Sequence, residues 1–336
     1  MQEMFFDAME QLLGDCCTPA HIRRIEKGGA ASAERAALWS ALIESGFADA
    51  LVAEDKGGAG LSLSDAYPVA FVAGRHALPL PFAQTMAVRG VLAAAGNAAP
   101  DGAITIASSA ARQADGSVVC SHVPFGLIAD WVVAEFDDST YMLSVADAEA
   151  TPAGGNGTLD ASLRWAALPA TATRLAGGFW RAFGASVSAA LLAGAMERMF
   201  EITVGYANDR VQFGKPIAKL QVIQQQISVM AEQVFAARMA AQIGFSASGT
   251  VPDTLSAAVA KQRTGEAVAA VSAIAHAVHG AMGFTEEYDL QLFTRRIHEW
   301  RLAYGTEAYW SAVLGRDVIA ADDVRALDFV RTRIAA

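Results

Sequence analysis

Residues 206–217, Tyr-Ala-Asn-Asp-Arg-Val-Gln-Phe-Gly-Lys-Pro-Ile, include residue types that can hold an anionic ligand bearing an aromatic ring. Arg210 can donate two parallel hydrogen bonds to a diphosphate, and Phe213 can cover an apolar ring face. Gly214 lets backbone and ligand approach closely, because glycine has no Cβ. An ordinary turn between two helices, carrying a surface arginine, fits the same residues equally well. These residues alone therefore leave a ligand-binding loop and a plain turn open.

Long helical patterns on both sides must position this loop. Apolar residues recur at helical spacing in four segments, about 179–206, 220–239, 253–278 and 290–303. Gly214 and Pro216 interrupt the pattern between the first two segments, where the loop lies. Four long helices with short connections predict an antiparallel four-helix bundle, which we assign to residues 173–336.

Two regions with different hydrophobic patterns precede the bundle. Residues 1–103 carry helical periodicity punctuated by glycines, Gly74 among them, and predict an N-terminal helical domain. Over 104–172 the pattern changes to short β-type runs bounded by Asp, Gly, Ser and Asn, which predicts a small middle β domain. The expected fold class is therefore mainly α: a helical domain, a β domain and a four-helix bundle, in that order.

Composition limits the kinds of partner. The chain has 336 residues, 53% of them hydrophobic and 18% charged, enough for two or three packed domains. A net charge of -10 argues against nucleic acid or an anionic membrane surface as the main partner. The apolar stretches contain polar residues at helical spacing, so no membrane span is expected.

Cysteine and histidine usage, and the N-terminal sequence, bear on the cellular setting. Three cysteines without a Cys-x-x-Cys spacing suggest neither a disulfide framework nor a zinc site. His276 and His279 form the one helical histidine pair, and we expect them to pack or hydrogen-bond rather than bind metal. No basic region followed by an apolar run marks a signal peptide. A reduced, cytoplasmic, globular protein is expected.

The loop and several other segments resemble one family. Arg-x-Gln-Phe-Gly-Lys-Pro-Ile, followed by Gln221 in a helix, resembles the flavin-contacting signature of the acyl-CoA dehydrogenases. Other segments similar to that family, in the same order and spacing, are 38–47, 57–62, 74–81, 279–284, 286–288 and 305–306. The resemblance thus extends along most of the chain.

The resemblance implies the three-part fold and FAD bound between subunits, with the Arg210 loop reaching a neighbour's flavin. By position, the residues that would meet FAD are Arg210, Gln212, Phe213, Gln221, Gly280, Gly283 and Thr306. In the family, a carboxylate removes the α-proton of an acyl-CoA thioester while the flavin takes the β-hydrogen as hydride. An electron-transferring flavoprotein then receives the electrons.

The position of the family's usual base holds Tyr304. Ionising a tyrosine of pKa near 10 at neutral pH costs about 4 kcal/mol, so we do not expect Tyr304 to be the base, and the catalytic residue stays unassigned. Some members carry the base on the first bundle helix, but residues 181–186 contain no carboxylate. Glu307 is near the base position in sequence. Because it lies three residues beyond Tyr304 along a helix, however, its side chain is expected at a neighbouring rather than the same position. An exposed acidic residue is the simpler interpretation of Glu307.

The β domain departs from the family as well. It lacks the Glu-Pro-Gly-x-Gly-Ser-Asp loop and the Trp-x-Thr/Ser loop that line the family's flavin, and Trp131 is expected to be a buried strand residue instead. The favoured hypothesis is the short, catalytically incomplete subunit of a heteromeric acyl-CoA dehydrogenase. In this respect the chain resembles the paired dehydrogenases of bacterial steroid and other bulky acyl-CoA breakdown, in which one short subunit lacks the base.

In this hypothesis two copies of each chain assemble (α2β2), and the Arg210 loop completes the FAD site of a partner that supplies the glutamate. Two alternatives stay open. The chain could form a self-sufficient homotetramer that uses an atypical base such as Glu307, or it could be a non-enzymatic helical scaffold.

Overall fold

The computed structural model describes residues 2–247, 249–321 and 325–334. The first part of the chain forms five helices: α1 (Gln2–Cys16), α2 (Pro19–Gly28), α3 (Ala33–Glu44), α4 (Leu63–Arg75) and α5 (Phe82–Ala94). Helices α4 and α5 are buried on almost all sides. Their apolar residues join one large core that continues into the C-terminal helices.

Eight short strands follow: β1 (Ile104–Ile106), β2 (Ser109–Arg112), β3 (Val118–Val123), β4 (Trp131–Phe136), β5 (Ser139–Ser144), β6 (Glu149–Pro152), β7 (Ala161–Trp165) and β8 (Thr173–Leu175). They form two four-stranded sheets, of order β1-β4-β5-β8 and β2-β3-β7-β6. Strand β1 runs parallel to β4, and the other pairings are antiparallel.

The two sheets share a second core. Val118 and Leu163 of one sheet and Val132 and Leu143 of the other are fully buried in it, as expected where inward-facing residues of two stacked sheets meet. The last paired strand, β8, ends just beyond the predicted boundary at 172.

The C-terminal part contains α6 (Trp180–Asp209), α7 (Gln221–Ile243), α8 (Thr254–His279), α9 (Leu290–Leu302) and α10 (Glu307–Ala320), then a short α11 (Ala326–Phe329). Helix α8 packs against α6, α7 and α10, and α9 packs against α6. The four predicted helical segments correspond to α6–α9. Helix α10 is a further long helix, which lies beyond the last predicted segment (290–303) and was not predicted.

The N-terminal helices and the bundle meet at two glycines rather than at large side chains. A Cβ on Gly74 of α4 would collide with the backbone of Leu191 in α6, and one on Gly194 of α6 would collide with the carbonyl of Phe71 in α4. The interpretation of Gly74 as a break in the helical pattern was therefore wrong. Gly74 lies inside α4, where its missing side chain lets two helix backbones touch.

We predict that Gly194→Ala destabilises the protein by about 2–3 kcal/mol, because the added methyl group must push α4 and α6 apart. Thermal unfolding, followed by circular dichroism, measures the effect. Gly205 lies in the same helix, is exposed and would place a Cβ in open space, so Gly205→Ala is the matched control. It should leave stability equal or raise it by up to about 1 kcal/mol. Equal effects of the two substitutions would contradict a tight crossing at Gly194.

One segment among the described residues, Thr254–Phe284, is long and apolar enough to cross a membrane by length and composition alone. It consists mostly of α8. Val268 and Val271 of this helix are fully buried in the common core, as expected for the helix at the centre of a bundle. Of the most apolar window of this segment, 44% is buried within the fold.

Candidate functional site

After α6 the chain turns through a hairpin of two short strands, β9 (Val211–Gln212) and β10 (Lys215–Pro216). The two residues at its tip, Phe213 and Gly214, have φ values of 53° and 74°. Positive φ at both central positions is the geometry of a type I′ turn, whose twist suits a hairpin. Gly214 adopts it freely, whereas a phenylalanine does so at a cost. The predicted loop is therefore a defined hairpin with a bulky residue at a strained tip.

The tip also carries an exposed ring. The Phe213 residue is 88% exposed, more than any other large hydrophobic residue described. Met282 and Phe284, just beyond α8, are 45% and 72% exposed. Phe213 thus has a strained backbone, and its exposed ring adds little packing to stabilise the folded chain. Exposed apolar groups of this kind mark a contact surface.

Further predicted cofactor residues lie at the same end of the bundle. Gln221 is the first residue of α7, and Gly280 directly follows α8 and begins the turn that contains Gly283. Tyr206 of α6 stacks on His279 at the end of α8, with ring centroids 4.4 Å apart. This contact and the small apolar cluster beneath the hairpin hold the ends of α6 and α8 together. His279 packs as expected, and its Nδ1 lies 2.7 Å from the Ala275 carbonyl oxygen.

Thr306 lies elsewhere. It directly precedes α10, and the side chain of the adjacent Glu307 fills the space beside Gly265 in α8. With a rise of 1.5 Å per residue, Gly265 is about 21 Å along α8 from His279. The structure therefore brings six of the seven predicted cofactor residues to one end of the bundle and places Thr306 apart from them.

The hairpin is locally basic in an acidic chain. Arg210, Lys215 and Lys219 fall within ten residues that include no carboxylate, and all three are exposed. Arg210 takes part in none of the ion pairs found among the described residues. The N-terminus of α7 begins beside them and adds its partial positive charge. This end of the molecule is suited to a diphosphate.

A second feature, a cavity of about 790 Å³, lies between the sheets and the bundle. Its titratable lining residues include His122 and Asp160 from the sheets and Arg181, His298 and Glu299 from the bundle. The volume is that of a small-molecule site. Sequence reasoning did not find it, because its walls come from segments far apart in the chain that share no motif.

Tyr304, at the position of the family's base, is locked beside this cavity. Its hydroxyl donates to the carbonyl of Ile106 (3.0 Å), and its backbone N–H donates to the hydroxyl of Ser108 (3.1 Å). Its ring occupies the space that a side chain on Gly184 would need. Burial raises the pKa of the Tyr304 phenol. A proton-holding, hydrogen-bonded phenol is a structural element here and a poor base.

Glu307 is no better placed. Its Oε1 accepts a hydrogen bond from Arg301 Nε at 2.6 Å, and it is not among the residues that line the cavity. Partial burial opposes its ionisation, but the hydrogen bond and charge of Arg301 prevail and lower the pKa of Glu307. An ion-paired carboxylate facing α8 does not support the proposed role as an atypical base.

Lys261 of α8 is buried beneath this ion pair. Its ammonium group donates to the carbonyl of Arg301 at 2.6 Å, which caps the end of α9 before the connection that holds Tyr304. Burial lowers the pKa of Lys261 to about 7. The folded protein therefore takes up this proton less readily than the unfolded chain does.

We predict that replacing Lys261 by methionine has a pH-dependent effect. Between pH 7 and the ordinary lysine pKa the unfolded chain holds the extra proton, so this lysine makes the wild type more stable as pH rises. The stability of wild type relative to Lys261→Met should thus increase by up to about 1.4 kcal/mol per pH unit over this range. Urea unfolding at pH 7, 8 and 9 measures it, with Lys27→Met at an exposed lysine as control. A gap independent of pH would contradict a buried, neutralised lysine.

The family follows from comparison with known proteins. Residues 182–319 match the family described as acyl-CoA dehydrogenase, C-terminal domain. Acyl-CoA dehydrogenase IpdE2 of Mycolicibacterium smegmatis is 31% identical over 269 residues, covering 78% of this chain and 81% of that protein. The chain belongs to the acyl-CoA dehydrogenase family. IpdE2 of Mycobacterium tuberculosis is also 31% identical, over 306 residues that cover 88% of this chain and 91% of the relative.

The fold agrees with this assignment to the acyl-CoA dehydrogenases. A chain in the crystal structure of the ChsE4–ChsE5 complex from Mycobacterium tuberculosis superposes with a TM-score of 0.79 at 20% identity, covering 97% of this chain and 98% of that one. The mainly α, three-part architecture predicted from the sequence is thereby confirmed.

In this member of the acyl-CoA dehydrogenase family, the structure departs from one expectation for the β domain, at Trp131. Trp131 begins β4, and its indole N–H donates to the carbonyl of Asp101 at 2.9 Å. Its assignment to a strand was right, but the prediction that it is buried was wrong: the residue is only partly covered, because it starts the strand where the sheet meets the surface. Its indole is bound to the chain's own backbone.

Proposed function

We propose that this chain is a subunit of an FAD-dependent acyl-CoA dehydrogenase and that its hairpin completes the flavin site of a partner subunit. The tip of the hairpin carries the proposal. Phe213 is exposed in a strained conformation, and Arg210 has no ion-pair partner among the described residues. The exposed Phe213 ring and the Arg210 guanidinium are therefore available to contact a ligand that is bound to another subunit.

FAD fits the groups at this end of the bundle. Arg210 and Lys215 would neutralise its diphosphate, and Phe213 would cover an apolar face of the cofactor. At Gly280, with φ of 58°, a Cβ would meet nothing within 4 Å, so a ligand can approach the backbone there. When bound, FAD supplies the hydride acceptor for α,β-dehydrogenation of an acyl-CoA thioester.

The partner is proposed to be a second acyl-CoA dehydrogenase chain in an α2β2 assembly. It would contribute the glutamate that Tyr304 replaces here, and an electron-transferring flavoprotein would accept the electrons. The crystallised ChsE4–ChsE5 relative is itself a complex, which supports a heteromeric assembly. The acidic charge and the three unpaired cysteines support a cytoplasmic setting.

A self-sufficient homotetramer is the second candidate, and the cavity of about 790 Å³ favours it, since a chain that serves only its partner needs no such space. Glu307 is not its base, for the reasons given above. A non-enzymatic scaffold has no observation in its favour.

Flavin content and subunit ratio separate these possibilities. The chain is purified alone and together with an acyl-CoA dehydrogenase encoded beside it, and the visible absorbance of flavin and the subunit stoichiometry are recorded. We expect a colourless lone chain and a yellow complex of two kinds of subunit. A yellow, active homomer would contradict the proposal, and flavin in neither preparation would favour the scaffold.

A further inference from the structure

Asp160, the residue directly before β7, has one carboxylate oxygen without a described hydrogen-bond partner. Its Oδ1 accepts a hydrogen bond from the backbone N–H of Phe125 at 3.0 Å. Its Oδ2 has no hydrogen-bond partner among the residues that the structure describes, and the side chain lines the cavity wall. One oxygen is therefore anchored to the sheet, while the other has no described partner on a residue that lines the cavity.

The surroundings of Asp160 make it a competent proton acceptor at neutral pH. Burial, and after it the negative charge of Glu299, raise the pKa of Asp160 to about 7. Ala303 and Gly305, the neighbours of Tyr304 in the chain, line the same cavity as Asp160, so Asp160 and the position of the family's base border one space. A carboxylate whose pKa lies close to the working pH is suited to general base catalysis.

The other titratable groups that face the cavity are less suited. Glu299 is ion-paired with the buried guanidinium of Arg296 at 2.9 Å, so its carboxylate is already engaged by another side chain. Burial, with the nearby charge of Arg301, lowers the pKa of His298, so this histidine is the weaker base at neutral pH. His122 Nδ1 lies 3.1 Å from the carbonyl oxygen of Ala153, so this ring nitrogen faces the chain's own backbone.

The cavity also offers a positive charge for a developing anion. The guanidinium of Arg181 lies 5.1 Å from the centroid of the Tyr309 ring and is in no ion pair with a described residue. Leu302 and Ala303 add apolar wall. A thioester with an apolar acyl chain has the matching parts: a carbonyl oxygen that becomes anionic and a hydrocarbon tail.

We propose that this cavity binds an acyl thioester and that Asp160 accepts its α-proton. The Cα–H bond breaks, its electron pair forms the enolate with the negative charge on the thioester oxygen, and the proton binds Oδ2 of Asp160. Return of a solvent-derived proton restores the thioester, so the step needs no oxidant. The inference rests on the acyl-CoA substrate class of the proposed function and is independent of where the flavin binds.

Exchange of α-hydrogen for deuterium tests this assignment. The full chain is purified alone and incubated in D2O with butanoyl-CoA, octanoyl-CoA and cyclohexanecarbonyl-CoA, and deuterium uptake is measured by mass spectrometry. We expect exchange with at least one thioester, rising through a midpoint near pH 7, and a loss of about a hundredfold or more in Asp160→Asn. The amide oxygen of the variant can still accept from Phe125. No exchange with any thioester, or undiminished exchange in Asp160→Asn, would overturn the proposal.

Glu299→Gln gives a second readout that a merely structural aspartate would not produce. Without the charge of Glu299, which raises the pKa of Asp160, and with Arg296 still held nearby by Glu26, the pKa of Asp160 should fall. The midpoint of the exchange profile should therefore move to lower pH while exchange persists. An unshifted midpoint would overturn the assignment. Because the assay uses the lone chain and no flavin oxidation, its result is independent of flavin uptake by the two-subunit complex.

Discussion

Arg210→Ala is expected to strip FAD from the two-subunit complex, raising the dissociation constant of the cofactor about a hundredfold. Each hydrogen bond from a guanidinium to a charged oxygen contributes about 1.5–3 kcal/mol, and 2.8 kcal/mol corresponds to a factor of a hundred. Arg210 makes no ion pair among the described residues, so its loss leaves no described carboxylate unpaired. Flavin fluorescence during titration of the apo-complex measures the constant.

Arg198→Ala is the matched control. Arg198 lies on α6, the helix that Arg210 directly follows, and pairs with Glu201 at its exposed surface, where such a pair contributes little to stability. Removing it should leave FAD binding unchanged. If Arg210→Ala retained FAD as firmly as Arg198→Ala, the hairpin would not be a flavin contact.

Phe213→Gly is expected to affect stability and function in opposite directions. Glycine relieves the positive φ at the hairpin tip, so the isolated chain should be equally stable or up to about 1 kcal/mol more stable. The complex should lose FAD affinity by tenfold or more, because the ring that covers the cofactor is gone. Thermal unfolding of the lone chain and flavin titration of the complex give the two values.

Phe213→Tyr keeps an aromatic ring at the same exposed position and should retain FAD. Strained residues that destabilise the free chain are common at functional sites, and relieving the strain raises stability while it lowers function. A glycine variant that binds FAD as tightly as wild type would show that the ring does not contact the cofactor.

Periodicity and turn chemistry predicted the helices and the position of the hairpin, because these depend on neighbouring residues. Gly214 marked the turn correctly. Gly74 was misread, since a glycine at a helix crossing and a glycine at a helix end look alike in a single sequence, and only the position of α6 distinguishes them. The fourth predicted segment ended correctly near 303, where Tyr304 and Gly305 turn the chain through positive φ, but helix α10 beyond this turn was not predicted.

The candidate site was also predicted only in part, and the parts that were found depend on local sequence. Six predicted cofactor residues meet because they lie at consecutive ends of adjacent helices, a relation that the order of elements implies. Asp160 was not found, since its raised pKa depends on burial and on Glu299, which is distant in sequence. Its role depends on the docking of the β domain against the bundle, which no local pattern encodes.

The most direct test of the partner-site account is a cryo-electron microscopy structure of the co-purified complex with FAD bound. We predict that the guanidinium of Arg210 lies within hydrogen-bond distance of the diphosphate of a flavin whose ring system is held by the partner subunit, with Phe213 covered by that assembly. A flavin ring lying in this chain's own cavity, or an Arg210 hairpin that remains in solvent, would contradict the account.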